Sequence, residues 1–334
     1  MSVAIVILNY NGRDFLEKFL PKVIATSPEG EIYVAENGST DDSVNWLKTQ
    51  YPNIHCIESE TNLGYAGGYN YALKQIEADY YVLMNSDIEP KRGWLGNLLA
   101  YFDSNPNVAA AQPFILSYHE PDKFEYAGAA GGFWDKYGYA FCRGRIFDSI
   151  ETQNHQYPSS LVNWATGACL MIKSKAYWEV GGLDAYFFAH MEEIDLCWRL
   201  QRAGHDIAAV STSEVYHVGG GTLPQGNPKK TYLNFRNNLI LLYKNIEPNK
   251  RFGILFIRMI LDGLAGAQFL LKAEFSQIIA ILKAHRDFYH YVLFVKNKEN
   301  LPQTLQKKYV SSYEGSIVWD YFIRKIKYFS EIKF

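Results

Sequence analysis

The stretch VAIVILNYNG, residues 3–12, points to the fold class of this chain. Its six apolar residues run directly into a turn rich in Asn and Gly, which is typical of a strand buried on both faces. A second run of this kind, YYVLM at 80–84, leads into NSD. Strands covered on both faces are typical of parallel sheets that lie between two layers of helices, so we predict an α/β fold.

The rest of the first half extends this sheet. Strands are predicted at EIYVA (31–35) and HCIES (55–59), with helices at 14–26, 42–50 and 69–77. Ligands of open α/β sheets bind beyond the carboxyl ends of the strands. The four strands are followed by NYNGRD, ENGSTDDS, NLGYAGGYN and NSDIEP. Because these turns supply amides, carboxylates and close backbone approach, they predict one binding edge, although each alone is also ordinary turn chemistry.

The second half is less regular. ACLMIK (168–173) and DIAAV (206–210) are predicted strands, whereas SKAYWEVGG (174–182) and EEIDLCWRLQRAG (192–204) are predicted helices that end at glycine. The aromatic stretch from Ser117 to Ser160 has no periodic pattern. We predict a long functional or mobile loop there.

Three acids crowd the start of the last of these helices, in HMEEIDLCWR (190–199). Helical spacing predicts that Glu192 shares a solvated face with Asp195 and Arg199. Glu193 instead heads the stripe that should face the core, formed by Leu196, Cys197 and Leu200. The simpler explanation is that acids favour the positive end of a helix dipole.

Composition narrows the class of protein. The chain has 334 residues with 48% hydrophobic and 20% charged content, which describes a globular protein. Its four cysteines form no CxxC pair, and Met1 leads directly into an apolar run without a signal peptide. We therefore predict free thiols in a reducing, cytoplasmic compartment.

Charge is unevenly distributed, although the whole chain has a net charge of −2. Residues 249–334 carry 14 Lys and Arg against 7 Asp and Glu, so we divide the chain into domains at 1–248 and 249–334. The basic part holds the most apolar run, 253–271, but Arg258 and Asp262 make it a poor transmembrane span. It is predicted to lie on the inner membrane face, to pack on the main domain, or to form a homodimer interface.

A metal site is predicted where the fourth strand ends. Asp87 follows a buried strand, and a carboxylate there suits Mg²⁺ or Mn²⁺ that bridges phosphates. His217 follows the last strand and precedes three glycines, which makes it the second candidate ligand. For each residue a structural role is the alternative.

Several other functions find no support. GYAGG lies outside the first strand-to-helix turn, where a dinucleotide fingerprint belongs. The chain has no GxxxxGKS loop, no GxSxG elbow and no HExxH pair. Its acidic α/β part also argues against a nucleic-acid partner.

The ordered series ILNYNG, ENGSTDDS, NLGYAGGYN, LMNSD, ATGACLMIK, GGLDAYFF, EEIDLCWRLQRAG, H-V-GGGT and YLNFRNN resembles the family 2 glycosyltransferases, particularly their bacterial rhamnosyltransferase-like branch. The resemblance covers roughly residues 1 to 245. It implies a GT-A fold with a mixed, mostly parallel sheet flanked by helices and a helical C-terminal extension. It also implies a nucleotide-sugar donor, deoxythymidine- or uridine-linked, a divalent metal, inversion at the anomeric carbon and a cell-surface glycan or lipid-linked acceptor.

The resemblance also implies roles for residues, taken position by position. Those expected around the donor nucleotide are Asn9, Tyr10, Glu36, Asn62, Gly67, Gly68, Asn70, Asn85 and Ser86. Asp87 matches the last carboxylate of the metal motif, with His217 beside the metal or diphosphate. Those expected to face the sugar and acceptor are Trp164, Thr166, Gly167 and Glu192. Arg236 and Asn237 match an Arg-Asn pair that is expected at the diphosphate or the membrane side.

Two positions depart from the family pattern. The family usually has Asp where this chain has Glu36, so the base contact is reached by a longer side chain. It also commonly has Glu-Asp where this chain has Glu192 and Glu193. The second acid of that pair is the usual catalytic base, which makes Glu193 the candidate, with a reach changed by one methylene.

Two rival functions use similar residues. A nucleotidyltransferase shares the sheet and the metal but is expected to carry basic residues near its first strand, where this chain has only Arg13. A non-catalytic carbohydrate-binding protein could stack sugars on Trp134, Tyr137 and Trp164, yet it needs neither a metal carboxylate nor an acid at the head of a core stripe.

Overall fold

The structure is a computed structural model that describes residues 1–126, 128–219, 226–296 and 312–334. Part of the predicted GGGT turn and residues 297–311 of the C-terminal part lie outside the described residues. The strands are β1 Val3–Asn9, β2 Glu31–Asn37, β3 His55–Ser59, β4 Tyr80–Asn85, β5 Ile88–Pro90, β6 Val108–Ser117, β7 Gly132–Trp134, β8 Ala140–Cys142, β9 Arg145–Ile146, β10 Ser149–Ile150, β11 Ser160–Val162, β12 Cys169–Lys173 and β13 Asp206–His217.

Helices occupy most of the remaining described chain. They are α1 Arg13–Thr26, α2 Ser43–Gln50, α3 Gly64–Leu73, α4 Trp94–Ser104, α5 Ser174–Glu179, α6 Glu192–Arg202, α7 Pro228–Asn245, α8 Pro248–Leu271, α9 Phe275–His290 and α10 Ile317–Phe322. Short 3₁₀ turns form at Ala185–Phe187 and Phe329–Glu331, and a π turn at Tyr291–Val295 follows α9.

Nine of the described strands form one mixed sheet in the order β11-β13-β6-β12-β4-β1-β2-β3, with β5 paired to β13. Strands β1 to β4 are mutually parallel, as predicted. Strand β12 runs antiparallel between β4 and β6, and β13 is parallel to β6 but antiparallel to β11. The first half of the sheet is therefore purely parallel, whereas the second half is mixed.

The sheet is covered on both faces, which explains the apolar runs. In β1, Ala4 and Val6 pack into one core cluster, whereas Ile5 and Ile7 pack into the other. Burial of alternate side chains in two separate cores requires apolar residues at every position. The polar residue that ends the run, Asn9, thus marks the edge of the sheet.

The predicted helix at 69–77 begins five residues earlier, at Gly64. The backbone N–H groups of Tyr65 and Ala66 donate to the carbonyl of Phe188, at 2.6 and 3.3 Å. Gly64 has a φ of +74°, and a Cβ there would lie 2.5 Å from Phe188. The cap comes from a residue far along the chain, so the local pattern did not reveal it.

The aromatic stretch from Ser117 to Ser160 is not one irregular loop. Strands β7 to β10 form a second, four-stranded antiparallel sheet within it. The end of the chain packs on this sheet, because the rings of Phe329 and Phe334 lie 5.2 Å from the ring of Phe133. Short strands of two or three residues give too little alternation to be recognised from sequence.

Beyond residue 248 the described chain is mainly helical, as the resemblance implied, and α8 and α9 pack on each other and on α7. By length and composition α8 could cross a membrane, with a mean hydropathy of 1.7, despite Arg258 and Asp262. It is the one such helix in the described ranges. The division at residue 248 stays a prediction.

Candidate functional site

The carboxyl ends of β1 and β2 bring two predicted donor residues together. Asn9 and Glu36 are register partners, and the Asn9 amide donates to Glu36 Oε1 at 2.9 Å. Ser39 Oγ donates to the other carboxylate oxygen at 2.7 Å. Burial raises the pKa of Glu36, although these two hydrogen bonds oppose the rise. The longer Glu36 side chain is thus fixed at the sheet edge.

At the same edge of the sheet, one hydrogen-bond acceptor is free to bind a ligand. The side-chain oxygen of Asn9 is buried and has no hydrogen-bond partner among the described residues. A Cβ at Gly12 would lie 2.4 Å from this oxygen and 3.4 Å from Ser86 Oγ. A buried acceptor without a partner is costly unless a ligand satisfies it, so Asn9 is a credible contact for a donor group of a base or ribose.

Other predicted donor residues are placed differently. Tyr10 is exposed at the same edge, whereas Asn62 Oδ1 accepts from the backbone of Gly64 at 2.8 Å and from Asn37. Gly67 and Gly68 lie within α3, and a Cβ at Gly68 would lie 2.8 Å from Leu8. Gly68 therefore allows the helix to approach β1 closely.

Asn70 is committed to the protein. Its amide nitrogen donates to the carbonyl of Leu183 at 2.6 Å, and its oxygen accepts from Tyr177 at 2.6 Å and from the Leu183 N–H at 3.2 Å. These bonds tie α3 to the segment after α5. The structure thus gives Asn70 an architectural role, and its contact with a donor stays a prediction.

The predicted metal residues do meet. Nε2 of His217 lies 3.2 Å from Asp87 Oδ1, and Nδ1 lies 3.0 Å from Glu125 Oε2. Burial alone would raise the pKa of Asp87, but His217 outweighs it and holds the pKa below its usual value. Burial lowers the pKa of His217, but Asp87 and Glu125 outweigh it and raise the pKa to about 10.

Asp87 and His217 could hold a divalent cation if the cation displaces the proton of His217, because only a neutral imidazole binds a metal. Two ligands at right angles on Mg²⁺ or Mn²⁺, with bonds of about 2.1 Å, lie about 3.0 Å apart, close to the 3.2 Å between Asp87 and His217. Glu125 would orient the imidazole through its other nitrogen, as outer-shell carboxylates commonly do. No group of three or more His, Cys, Asp or Glu with metal-binding geometry occurs among the described residues, so phosphate oxygens would complete the coordination.

The metal motif lies next to the predicted acceptor segment. The backbone N–H of Asn85 donates to the carbonyl of Ala168 at 3.0 Å. Thr166 is buried, and its N–H donates to Gln112 at 2.9 Å. The Tyr65 hydroxyl donates to the carbonyl of Gly167, where a Cβ would lie 2.6 Å from that hydroxyl. Gly167 therefore leaves room for Tyr65 beside the start of the metal motif.

Two of the three aromatic platforms of the carbohydrate-binding alternative, Trp134 and Trp164, are buried, whereas Tyr137 is half-buried. The Trp164 ring covers Gly132, whose Cβ would lie 2.0 Å from it, and its N–H donates to the carbonyl of Phe133 at 2.9 Å. Trp134 is stacked on Trp198 at 4.2 Å. Both predicted platform tryptophans are buried, so Trp164 shapes the wall of the site from within the core.

Helix α6 begins with two acids whose hydrogen-bonding capacity is only partly used. One carboxylate oxygen of Glu192 and one of Glu193 are buried and have no hydrogen-bond partner in the described part of the chain. Burial raises the pKa of both, and the charge of Glu193 raises the pKa of Glu192 further, well above its usual value. Burial is the main cause of the raised pKa of Tyr65, and the charges of both acids add to the rise.

The predicted solvated face of α6 is wrong. Glu192, Asp195 and Arg199 are all buried. Asp195 accepts from Arg199 Nε at 2.8 Å and from the Asn245 amide at 2.8 Å, with Lys244 Nζ at 3.5 Å. The reason is that α7 covers this face and supplies the matching polar groups, which a helical wheel of α6 alone cannot show.

The loop before α6 is held by the predicted Arg-Asn pair. Arg236 donates to the carbonyls of Tyr186 and Phe187 at 3.1 and 3.0 Å. The Asn237 amide nitrogen lies within 2.7 to 2.9 Å of the carbonyls of Phe187, Ala189 and His190. These contacts give the pair a positioning role that the sequence did not predict, whereas its contact with the diphosphate stays a prediction.

The loop needs this support because its backbone is strained. Phe188, His190 and Met191 have φ values of +65°, +70° and +74°. Non-glycine residues rarely adopt this region and persist there only when the surroundings enforce it. Since Met191 is the residue before the first turn of α6, the loop sets where Glu192 and Glu193 point.

Three site residues escaped sequence reasoning: Glu125, Tyr65 and His190. Glu125 lies in the stretch 117–160, where the sequence shows no periodic pattern. Tyr65 lies in the first turn of α3, before the predicted helix start at residue 69. His190 has no partner for Nε2 in the described ranges, and burial together with Lys230 lowers its pKa to about 4. A histidine beside two acids was visible in the sequence and was the available signal.

Comparison with known proteins identifies the relatives of this arrangement. The family model described as "Glycosyl transferase family 2" matches residues 4–181. The N-acetylglucosaminyl-diphospho-decaprenol L-rhamnosyltransferase of Mycobacterium tuberculosis is 28% identical over 64% of this chain and 75% of its own length. Rhamnosyltransferase WbbL of Escherichia coli is 22% identical over 64% of this chain and 83% of its own length.

Solved structures show the same fold. GalNAc-T7 with UDP, GalNAc and Mn²⁺ superposes with a TM-score of 0.57 at 14% identity over 72% of this chain, which spans 47% of that chain. The Pyrobaculum calidifontis mannosyltransferase PcManGT in complex with GDP-Man and Mn²⁺ gives 0.52 at 14% identity over 90% of this chain and 76% of that one. The mixed sheet and flanking helices are those of the GT-A fold.

Proposed function

Since the chain belongs to glycosyl transferase family 2, we propose that it is an inverting glycosyltransferase that moves a rhamnose-like sugar from a dTDP- or UDP-linked donor to a lipid-linked glycan. Its family and its fold make it a glycosyltransferase. The choice of sugar and acceptor rests on the two rhamnosyltransferases it resembles, one of which is named for a diphospho-decaprenol acceptor. Such a product suits polysaccharide biosynthesis at the cytoplasmic face of the membrane.

The acidic pair at the start of α6 carries this proposal. One oxygen of Glu192 and one of Glu193 are buried and have no partner among the residues that the structure describes. Both acids follow directly on the loop that Arg236 and Asn237 hold. Two adjacent buried carboxylates cannot both ionise easily, and Glu192 has the pKa that is raised well above its usual value. We assign to Glu193 the role of the base that removes the proton of the acceptor hydroxyl, and to Glu192 a contact with the sugar or acceptor.

The donor would lie along the sheet edge. Asn9 and Glu36 would contact the base or ribose beside exposed Tyr10. Asp87 and His217 would hold a divalent cation, whose charge would stabilise the departing nucleoside diphosphate. The acceptor oxygen, freed of its proton by Glu193, attacks the anomeric carbon as the bond to the diphosphate breaks, which inverts that carbon.

The test is product formation with defined substrates. Purified protein, Mn²⁺ and a panel of nucleotide sugars are incubated with a polyprenyl-diphosphate-linked N-acetylglucosamine acceptor, and the product is analysed by mass spectrometry. We expect transfer of one deoxyhexose from one donor. In a parallel reaction with a nucleoside triphosphate and a sugar 1-phosphate, release of inorganic diphosphate with formation of a nucleotide sugar would identify a nucleotidyltransferase and overturn the proposal. Sugar binding without turnover of any donor would overturn it as well.

The metal assignment has its own measurement. Asp87→Ala should weaken Mn²⁺-dependent binding of the nucleoside diphosphate in calorimetry and leave metal-free binding unchanged. Asp103, exposed on α4, provides the matched control as Asp103→Asn. Equal Mn²⁺ dependence in Asp87→Ala and in the parent protein would contradict the assignment.

A further inference from the structure

The outer face of α8 is a continuous apolar strip. Phe252, Phe256, Ile260 and Leu264 follow one another at intervals of four residues and are 82%, 57%, 50% and 63% exposed. Residues at this spacing share one side of a helix. A soluble monomer rarely exposes an uninterrupted apolar face of this extent, so the strip marks an interaction surface.

Helix α9 continues the same kind of surface. Phe275, Ile279 and Leu282 are more than half exposed and lie on one side of the helix, followed by Leu293 in the π turn. Its opposite side is buried on α7 and α8 through Ala280, Ala284 and Phe288. The helix therefore has apolar residues on two sides: one side packs on the protein, and the other is open.

The inner side of α8 is held to the protein by buried Leu255 and by a polar cluster around Asp262. Asp262 is buried and pairs with Arg258 Nε at 2.9 Å and with His285 Nε2 of α9 at 3.0 Å. The Arg258 guanidinium also lies 4.9 Å from the centre of the Tyr139 ring. These contacts tie the middle of α8 to the protein, which favours a helix that lies along an interface over one that crosses it.

Basic side chains border the apolar strips. Exposed lysines and arginines stand at the ends of α8 and along α9: Lys250, Lys272, Lys283 and Arg286. Between α7 and α9 a cavity of about 460 Å³ is lined by Lys229, Lys283 and Arg286, with Asp287 as its acid. Between residues 248 and 296 Lys and Arg number seven against three Asp and Glu.

We propose that the paired outer faces of α8 and α9 dock in the plane of an anionic bilayer, with their apolar side chains among the acyl chains and the basic border at the phosphates. Apolar burial and attraction to anionic lipid together are what hold an interfacial helix. A second copy of this chain fits less well, because face-to-face pairing would bring two positively charged borders together.

The docked surface is linked to the acidic pair. Helix α7 packs against both α8 and α9 and carries Arg236 and Asn237, which hold the loop before α6. The inference therefore deepens the proposed function, on which its lipid-linked acceptor rests, since docking brings the base to the membrane where that acceptor lies.

Flotation of the full chain with vesicles tests the docking without any donor or acceptor. We expect binding to vesicles of phosphatidylcholine with one-third phosphatidylglycerol, weaker binding at 0.5 M salt, and little binding to phosphatidylcholine alone. The double variant Phe252→Ser, Phe256→Ser should lower the partition coefficient at least about tenfold. The matched control, Ile24→Ser with Leu161→Ser, changes two exposed apolar residues elsewhere and should bind as the parent does.

Three results would overturn the docking: no binding by the parent protein, equal binding by the double variant, or retention in the membrane pellet after alkaline carbonate, which indicates a spanning helix. A dimer that the double variant dissociates in sedimentation velocity would assign the surface to a second copy instead. Failure of the proposed function is distinguishable, because donor turnover on a detergent-solubilised acceptor is measured without vesicles.

Discussion

Helix α6 carries two acidic regions that lie less than one turn apart and behave in opposite ways. At its start, Glu192 is buried and Glu193 is half-buried, and each has one buried oxygen without a partner in the described part of the chain. Burial raises the pKa of both. Further along, Asp195 is buried as deeply, yet Lys244 and Arg199 outweigh the effect of burial and lower its pKa. Burial alone therefore does not decide how a carboxylate behaves; its partners do.

The contrast between the two acidic regions indicates that one serves function and the other serves stability. A carboxylate with all its acceptor sites occupied is inert and holds α6 against α7. A carboxylate with an unpaired oxygen and a raised pKa is a better base, but its burial lowers the stability of the folded protein. Substitutions that remove charge without changing shape should distinguish the two regions most clearly.

The largest expected effect is that of Glu193→Gln on turnover. Loss of the base should lower kcat by about 10²- to 10⁴-fold, the usual contribution of positioned general-base catalysis. Binding of the donor, measured by calorimetry, should be unchanged because the proposed nucleotide contacts lie at the β1 and β2 edge. Turnover within a factor of about two of the parent would remove Glu193 from this role.

Asp195→Asn should act on stability instead. It leaves the buried charge of Arg199 without the carboxylate that pairs with it, whereas Lys244 keeps Asp184 as a partner. Removing one partner of a buried ion pair typically costs about 3–5 kcal/mol in the free energy of unfolding. Denaturation in urea measures this loss, and Asp103→Asn, on the exposed surface of α4, should change stability by less than about 0.5 kcal/mol. A loss no larger than that of the control would show that the cluster is not a stabilising one.

The pH dependence of stability follows from the same pair of regions. The folded pKa of Asp195 is lowered, so its contribution is present above the unfolded pKa of about 3.9 and is lost as the pH falls through the folded pKa. The sequence predicted neither the cluster around Asp195 nor the direction in which the pKa of Asp195 is shifted. Periodicity placed Asp195 and Arg199 on one face correctly, but it had no information that α7 would cover that face.

Sequence reasoning succeeded where the signal was local. The apolar runs at 3–8 and 80–84 predicted the central strands, and NSD led to the Asp87 and His217 pair that the fold brings within 3.2 Å. It failed where a distant residue decides the local structure. Glu125 completes the His217 pair from the misread stretch, and Phe188 caps α3 from more than a hundred residues away.

Asn237→Ala tests whether the loop before α6 positions the open acids. Its loss removes the amide that donates to the carbonyls of Ala189 and His190, whereas the Phe187 carbonyl keeps Arg236, and it should lower the free energy of unfolding by about 1–3 kcal/mol. It should also lower kcat with little change in the KM for the donor. The neighbouring Asn238→Ala, also buried on α7, controls for loss of an amide. A stability loss with unchanged kcat would reduce Asn237 to a purely structural role.

The smallest expected effect has the opposite sign. Because the folded pKa of Glu192 is raised, this acid binds its proton more tightly in the folded state, and its contribution to stability declines as the pH rises from its unfolded pKa of about 4.3 towards the folded pKa. Glu192→Gln removes the ionisable group but keeps the shape, so it should stabilise the protein by about 1 kcal/mol at pH 8 and flatten the dependence of stability on pH. Urea denaturation at pH 6 and pH 8 measures both. A loss of stability at pH 8 would mean that Glu192 is satisfied in its charged form, which would place it with Asp195 rather than with Glu193.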